Sequence, residues 1–420
     1  WTYYENIEID EKLAIIGNGT SNTTINGTWS DSNIIKISHE EVTVKNLKLV
    51  SGSNSSSYAL IKIASDNVAL DGLDVNGGNE GIRVTGDDVT IFNTKVASAT
   101  GTGIYVDPVS NFVLHNSILS HNSYGIFTYR NALNINIHNN SIHNNSEYGI
   151  NLESYGSIIR ENSIIDNENW GVQAVGHTDD DPDSIFTNNT ILRNGNGIKV
   201  SRAEAQFFTN KLVDNDGYGL FFYNSSNVYL WNNTITENDD VDLKIVTNST
   251  GNYGIGTTFS TISVDSTSSL IIKSYLDLDV NDASGNNMGG IDIKVMEDDV
   301  QKYATDYFGG SDSKTDSSGT IATFLINSKK YDGSSTPIAI PTYVTARNHD
   351  WIEIFTSDPS STIEITVPDL RVQNTRTGTL TYHIQTSIDV AEEGDTLRVW
   401  NGTYYENIDI TEELVLKGNG

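Results

Sequence analysis

A short motif, glycine followed by alternating hydrophobic residues, returns at nearly constant spacing along the chain. It reads GIRV, GIYV, GIFT, GINL, GVQA, GIKV and GLFF, and begins at Gly81, Gly103, Gly125, Gly149, Gly171, Gly197 and Gly219. Successive copies are 22, 22, 24, 22, 26 and 22 residues apart. A unit of this length holds three short strands and three turns but is too short for two helices. The repeat therefore predicts a parallel β-helix whose coils stack about 4.8 Å apart.

Asparagine also returns at fixed points of the repeat. One set is Asn116, Asn140, Asn162, Asn189, Asn210 and Asn233, and a second, looser set is Asn145, Asn167, Asn194, Asn215 and Asn238. Stacked asparagine side chains hydrogen-bond one another, and asparagine tolerates the left-handed backbone of a tight turn. We interpret these sets as structural columns and not as catalytic residues.

The repeat resembles the right-handed β-helix superfamily of pectate lyases and related carbohydrate-processing proteins. Within that superfamily it is most similar to NosD-like β-helices of archaeal cell-surface proteins, over residues 1–262 and 370–420. The resemblance implies that a polysaccharide ligand would lie along the outside of the stacked strands.

Residues 263–369 have a different composition. The asparagine columns end, and alternating stretches such as YLDLDV, IDIKVM and TIEITV replace them. This segment resembles a transthyretin-like or immunoglobulin-like β-sandwich. The predicted fold is therefore all-β: a right-handed parallel β-helix over 1–262, a β-sandwich over 263–369, and the N-terminal cap and first coil of a following β-helix over 370–420.

The two ends of the chain carry the same sequence. Residues 2–19 and 403–420 are identical at twelve of eighteen positions, and a predicted short helix that could cover the end of a β-helix core precedes the second copy. We interpret the chain as one period of a tandem architecture, joined covalently or head-to-tail to copies of itself. An alternative is an old duplication whose segment caps only its own domain. The predicted joint consists of Trp1, Tyr3, Tyr4, Ile384, Ile388, Trp400, Tyr404 and Tyr405.

Composition excludes several classes of function. The formal charge of −30 should repel nucleic acid and anionic lipid. The absence of cysteine excludes disulfides and thiolate metal sites. No apolar run approaches the ~18 residues that span a bilayer. We expect an extracellular, cell-surface protein without direct membrane insertion, whose partners are copies of itself or surface glycans.

The strands that follow each glycine offer one candidate ligand surface. Their predicted outward side chains combine aromatic rings with acids, which suits the C–H faces and hydroxyl groups of a sugar chain. The candidate groove residues are Tyr105, Asp107, Phe127, Tyr129, Glu153, Phe221 and Tyr223. Asp107 and Glu153 are two coils apart, near the limit of about 5–10 Å that glycoside hydrolysis requires. We predict no catalytic residue.

The sequence also contains a candidate metal site and candidate glycosylation sites. The loop GHTDDDPDS places Asp179, Asp180, Asp181 and Asp183 where they could bind Ca²⁺, or form a solvated acidic bulge. No other cofactor is expected. The N-x-Ser/Thr sequons are candidate glycosylation sites, foremost Asn18, Asn22 and Asn26 in one polar loop. The others are Asn54, Asn139, Asn144, Asn188, Asn224, Asn232, Asn248 and Asn401.

The sequence thus predicts an extracellular structural building block of a surface layer, sheath or filament that is not an enzyme. The alternative is a β-helix that binds or processes polysaccharide as a lyase, hydrolase or epimerase.

Overall fold

The computed structural model describes residues 1–27, 32–50, 58–154, 156–176, 183–357 and 362–418. Contacts between Cα atoms divide the chain into two compact units. The first unit is Trp1–Ile271 with Tyr331–Pro337, and the second is Ile272–Lys330 with Ile338–Gly420. The sequence-based division at residues 262 and 369 stays a prediction.

Three parallel sheets form the first unit, and each coil contributes one strand to each sheet. Sheet A consists of Thr2–Tyr4, Thr24–Asn26, Lys48–Val50, Asp74–Asn76, Lys95–Ala97, Ile118–Ser120, Ser141–His143, Ser163–Ile165, Thr190–Leu192, Lys211–Val213, Thr234–Thr236 and Thr258–Phe259. Sheet B consists of Ile7–Ile9, Ile35–Ile37, Ala59–Ile63, Glu80–Val84, Thr102–Val106, Tyr124–Thr128, Tyr148–Leu152, Trp170–Val175, Asn196–Ser201, Tyr218–Tyr223, Val241–Val246 and Ile262–Val264. Sheet C consists of Ala14–Ile16, Thr43–Lys45, Ala69–Asp71, Thr90–Phe92, Val113–His115, Asn136–His138, Ile158–Arg160, Ser184–Thr187, Ala205–Phe208, Tyr229–Trp231 and Asn252–Ile255. The strand Ser269–Leu276 follows them in the chain. The predicted right-handed parallel β-helix is confirmed.

The glycine motif belongs to sheet B, and its period explains the core. The residue after each glycine points inward, so that Ile82, Ile104, Ile126 and Ile150 stack in register and are fully buried. The glycine is needed because the coils approach closely: a Cβ on Gly149 would lie 2.6 Å from the carbonyl oxygen of Gly171. Any side chain there would therefore displace the neighbouring coil.

The two asparagine columns are hydrogen-bonded ladders inside the corners. Asn140 donates to Asn162 at 3.0 Å, and the ladder continues through Asn189, Asn210 and Asn233. The second ladder runs through all five predicted residues and begins one coil earlier, at Asn122. Each ladder residue is buried, so its amide satisfies backbone groups that water cannot reach.

One member of the first column was predicted wrongly. Asn116 lies one residue before the ladder, at φ 52°, and it is Ser117 whose backbone N–H donates to the side-chain oxygen of Asn140. Two adjacent residues thus have different roles at the corner: one adopts the left-handed backbone, and the other forms the hydrogen bond to the ladder. The first residue turns the chain in solvent, and the second is buried and hydrogen-bonded.

The second unit contains a four-stranded antiparallel sheet and a parallel pair of strands. The sheet has the order Val300–Ala304, Asp292–Glu297, Thr342–Asn348, Trp351–Ser357, and the pair is Leu278–Asp282 with Ile363–Val367. The strands Phe324–Asp332 and Ile338–Ala339 and the 3₁₀ turn Asp306–Phe308 complete this region. Inward residues of the sheet and the pair, among them Val280, Val295 and Ile365, share one buried cluster. The identification with a known type of β-sandwich stays a prediction.

The last residues of the second unit form a small capped segment. Its strands are Val372–Asn374, Leu380–Thr381, Thr396–Val399 and Val415–Gly418, and its helix is Ile384–Asp389. The helix lies where the sequence predicts it and packs Ile384 and Ile388 against Val372 and Leu397. Among the described residues, no helix has the length and apolar character needed to cross a membrane.

Candidate carbohydrate-binding surface

A single line of outward side chains crosses sheet B from coil to coil. Strand register places successive members opposite one another, and we call this line the outer column. It consists of Lys36, Lys62, Arg83, Tyr105, Phe127, Asn151, Gln173, Lys199, Phe221 and Lys244. The members face outward because they alternate with the buried residues of the glycine motif.

Aromatic rings stack in the first half of the outer column. The Tyr105 and Phe127 ring centroids are 5.3 Å apart, with planes 11° from parallel. Tyr129 lies beside them, its centroid 6.4 Å from that of Phe127. Burial is the main cause that raises the pKa of Tyr105, and the nearby Asp107 carboxylate adds to it. The Tyr105 hydroxyl is therefore neutral at neutral pH and can donate a hydrogen bond.

Sequence reasoning missed a second set of rings beside the outer column. These residues directly precede the motif glycine, where four of the seven coils carry an aromatic residue: Tyr124, Tyr148, Trp170 and Tyr218. Tyr124 stacks on Tyr148 at 5.3 Å and meets Phe127 edge-on at 5.9 Å. Trp170 lies 6.0 Å from Phe221. The recurrence of aromatic residues directly before the motif glycine, in four of the seven coils, was the sequence signal that could have revealed them.

Two basic side chains lie over these rings. The Arg83 guanidinium carbon is 4.8 Å from the Tyr105 ring centre, and Lys244 Nζ is 4.3 Å from the Tyr218 ring centre. Arg83 Nε donates to the buried carboxylate of Glu80 at 2.6 Å, and this hydrogen bond raises the pKa of Arg83. Lys244 donates to the Tyr218 hydroxyl at 2.8 Å. Both cations are held at the surface by an aromatic face.

Basic residues are concentrated in the outer column. Of 25 lysines and arginines in the chain, five lie there: Lys36, Lys62, Arg83, Lys199 and Lys244. Lys36 pairs with Glu8 at 2.6 Å. Neither Lys62 nor Lys199 forms an ion pair with any residue in the described part of the chain. In a chain of charge −30, this line can therefore attract an anionic group locally.

The remaining predicted groove residues lie two positions further along the same strands. Asp107 follows Tyr105, and Tyr223 lies 6.4 Å from Phe221. Glu153 forms an ion pair with Arg130 at 3.5 Å. Since Asp107 and Glu153 stay two coils apart with Tyr129 on the coil between them, the structure brings the rings together but not the two carboxylates.

The predicted joint residues differ in how far they are exposed to solvent. Trp1, Tyr3 and Tyr4 are exposed in the first coil, and Tyr405 is exposed near the other end. Trp400 and Tyr404 are half-buried. Ile384 and Ile388 are buried within their own segment, so they are not available at a surface for joining.

The calcium candidates lie largely outside the described residues, and calcium binding stays a prediction. Asp179, Asp180 and Asp181 lie outside the described residues, and Asp183 accepts a hydrogen bond from Gln206 at 2.8 Å. Across the ranges that the structure describes, no three histidine or acidic side chains are grouped to hold a metal ion.

Four of the sequons coincide with corners of the coils. In Asn139, Asn144, Asn188 and Asn232, the sequon asparagine is the exposed left-handed residue, and the residue after it is the buried ladder asparagine. Asn18, Asn22, Asn224, Asn248 and Asn401 are also exposed, whereas Asn54 lies outside the described residues. Asn26 was predicted to lie in a loop, but it is half-buried in the strand Thr24–Asn26.

Comparison with known proteins agrees with the fold. The sequence profile described as the right handed beta helix region matches residues 13–164, 58–201 and 157–259. No curated protein sequence matches the chain. The solved structure of the Dettilon tailspike protein is similar at a TM-score of 0.52 and 12% identity, covering 82% of this chain and 70% of that one.

Two further solved structures are more distant. The A-module of a mannuronan C-5 epimerase from Azotobacter vinelandii has a TM-score of 0.46 and 14% identity, over 61% of this chain and 80% of its own. The catalytic domain of Agl-KA has a TM-score of 0.47 and 14% identity, over 65% and 60%. At these identities the likeness concerns the fold alone.

Proposed function

The chain belongs to the right-handed β-helix family, and from that premise we propose that it binds an acidic polysaccharide along the outer column of sheet B. The proposal rests on four side chains from consecutive coils, which lie next to one another in register: Lys62, Arg83, Tyr105 and Phe127. Two cations adjoin two stacked rings on one line of half-buried side chains. We place the protein outside the cell, where such polymers occur.

Each part of the column has a chemical task. The aromatic faces of Tyr105 and Phe127 pack against the C–H faces of sugar rings. Gln173 provides an amide group for hydroxyls, and it also donates to the buried Asn151 side chain at 3.3 Å. Lys62 and Lys199 supply positive charge for carboxylate or sulfate groups. Because coils repeat about every 4.8 Å, a linear polymer meets a new side chain on each coil.

The negative net charge of the chain opposes binding of an acidic ligand. The surface as a whole repels a polyanion, so attraction must come at close range from the basic residues of the column, chiefly Lys62 and Lys199, which form no ion pair among the described residues. Binding should then weaken steeply with salt. We propose binding as the function, since Glu153, one of the two candidate carboxylates, is engaged in an ion pair with Arg130.

The proposal is tested by measuring the affinity of the full chain for polygalacturonate and for an uncharged glucan. The double variant Tyr105→Ala/Phe127→Ala should bind polygalacturonate about tenfold more weakly or worse, since two stacking faces are lost. Phe92→Ala on sheet C is the matched control, because Phe92 stacks on His115 away from the column. Equal affinity of the double variant and the wild type would refute the proposal.

Assembly into a larger surface structure is a second candidate function, supported by the repeated terminal sequence. Ile9 is only 2% exposed because the strand Ile35–Ile37 covers its coil, whereas its counterpart Ile410 is 50% exposed. Ile410 therefore leaves an exposed apolar edge for a further coil to cover. Light scattering on the full chain and on Ile410→Asp would test this, since assembly through that edge should be lost in the variant.

A further inference from the structure

A cleft of about 260 Å³ in the second unit is lined by aromatic and charged side chains. Trp351 and Tyr382, 7% and 5% exposed, lie at its base with ring centroids 6.3 Å apart. Tyr404 and Arg371 line the same cleft, and the guanidinium carbon of Arg371 is 5.7 Å from the Tyr404 ring centre. The size lies just below the range of drug-sized pockets and suits a single sugar ring.

The aromatic side chains are held in place before any ligand arrives. The Tyr382 hydroxyl accepts a hydrogen bond from Asn348 at 2.7 Å. The Tyr404 hydroxyl donates to the carbonyl oxygen of Trp400 at 2.8 Å. Since these rings are fixed by neighbouring groups, binding requires little reordering of side chains.

The acids near the cleft are already satisfied by backbone amides. Glu406 accepts from the N–H groups of Ile384 and Gln385, each at 3.0 Å. Asp350 accepts from the N–H groups of Tyr382 and His383, and it also lies 3.4 Å from the His383 ring nitrogen. Within the described ranges, neither carboxylate forms an ion pair with Arg371.

Arg371 is therefore the uncompensated charge of the cleft. It forms no ion pair with any residue in the described ranges. Gly402 leaves room beside it, since a Cβ there would lie 3.2 Å from Arg371 Nη1. A guanidinium with free N–H groups matches the two oxygens of a carboxylate, and the adjoining aromatic surface matches the apolar face of a sugar.

We propose that this cleft binds one carboxylate-bearing sugar residue, with the carboxylate on Arg371 and the ring against the aromatic side chains. The site uses no residue of sheet B and stands independently of the outer column. It gives the chain a second point of attachment for acidic sugars, with a pocket for a single residue in place of an extended line.

Titration of the full chain with galacturonate and with galactose, by calorimetry and saturation-transfer NMR, tests the proposal. Galacturonate should bind and galactose should bind more weakly. Arg371→Gln should weaken galacturonate binding about tenfold or more, as expected for a lost charged hydrogen bond. Arg371→Lys, which keeps the charge but loses the fork, should fall between the two.

Two further variants keep the outcome decisive. Tyr405→Ala removes a rim side chain that is 94% exposed, so it should weaken binding without affecting folding. Lys211→Gln on sheet A, which makes the same change of charge outside both proposed sites, should leave galacturonate binding unchanged. Absence of galacturonate binding to the wild type, or unchanged binding by Arg371→Gln, would overturn the proposal and leave the polysaccharide proposal for sheet B untouched. An equal loss caused by Lys211→Gln would assign the effect to overall charge and also overturn it.

Discussion

The side-chain amide of Asn162 donates a hydrogen bond to the side-chain oxygen of Asn189, one coil further along, at 3.0 Å. The same amide donates to the carbonyl oxygen of Ile137 at 2.8 Å, and the Asn162 oxygen accepts from the backbone and side chain of Asn140. One buried side chain therefore satisfies polar groups on the two coils that flank its own. The ladder is a set of backbone-satisfying groups, and not merely a row of similar residues.

Replacing Asn162 by alanine should destabilise the first unit by about 2–4 kcal/mol, because several buried polar groups lose their partners at once. The measurement is the shift of the urea unfolding midpoint followed by circular dichroism. Asn139→Gly is the control, since Asn139 is exposed and its φ of 55° suits glycine. Equal midpoints for Asn162→Ala and Asn139→Gly would contradict the ladder's role.

Gly149→Ala should also destabilise the first unit, by about 1–3 kcal/mol, because the added carbon would overlap the backbone of the next coil. The nearest atom is the carbonyl oxygen of Gly171 at 2.6 Å. Thermal unfolding should show a lower midpoint for this variant. Gly418→Ala is the matched control, since a Cβ at that position meets no atom within 4 Å. A variant as stable as the wild type would mean that the coils can separate without cost.

Lys199→Gln should weaken binding of an acidic polysaccharide and reduce its dependence on salt. Lys199 lies in the outer column without an ion-pair partner among the described residues, so its charge is available to an anion. Lys211→Gln is the control, because Lys211 is exposed on sheet A and the overall charge change is identical. Affinity measured at two salt concentrations separates the cases, because a uniform charge effect would lower the affinity of both variants equally.

Stability of the first unit should fall as the pH drops through about 6.5, the ordinary pKa of histidine. Burial lowers the pKa of His138 and His143 below 6.5, with Arg160 adding to the effect on His138 and His121 to that on His143. The unfolded chain therefore binds protons at a higher pH than the folded chain. Stability is complete above 6.5 and is lost toward the lowered folded pKa values.

Melting temperatures between about pH 7.5 and pH 5 check this expectation. The double variant His138→Gln/His143→Gln should lose less stability over that range than the wild type. Above the range the two proteins should show parallel curves. An equal decrease for both proteins would assign the pH dependence to other groups.

The repeat made most of the fold predictable. The spacing of Gly103, Gly125 and Gly149 indicated the coil length, and the five residues predicted for the second asparagine column all belong to its ladder, because each coil repeats the same local chemistry. Its first member, Asn122, was not predicted. The strand register places Arg83, Tyr105 and Phe127 opposite one another. The first column failed at Asn116 because two adjacent corner residues carry different tasks, and both are often asparagine.

What the sequence by itself determined is the β-helix, since the glycine spacing and the alternation within each strand permit one stacking register. What only the tertiary structure decided is which distant side chains meet. Trp170 reaches Phe221 across two coils, and Arg371 lies over Tyr404 beside an aromatic cleft. Such contacts depend on how corners and loops orient each side chain. That orientation follows from packing between segments far apart in the chain, which no local pattern specifies.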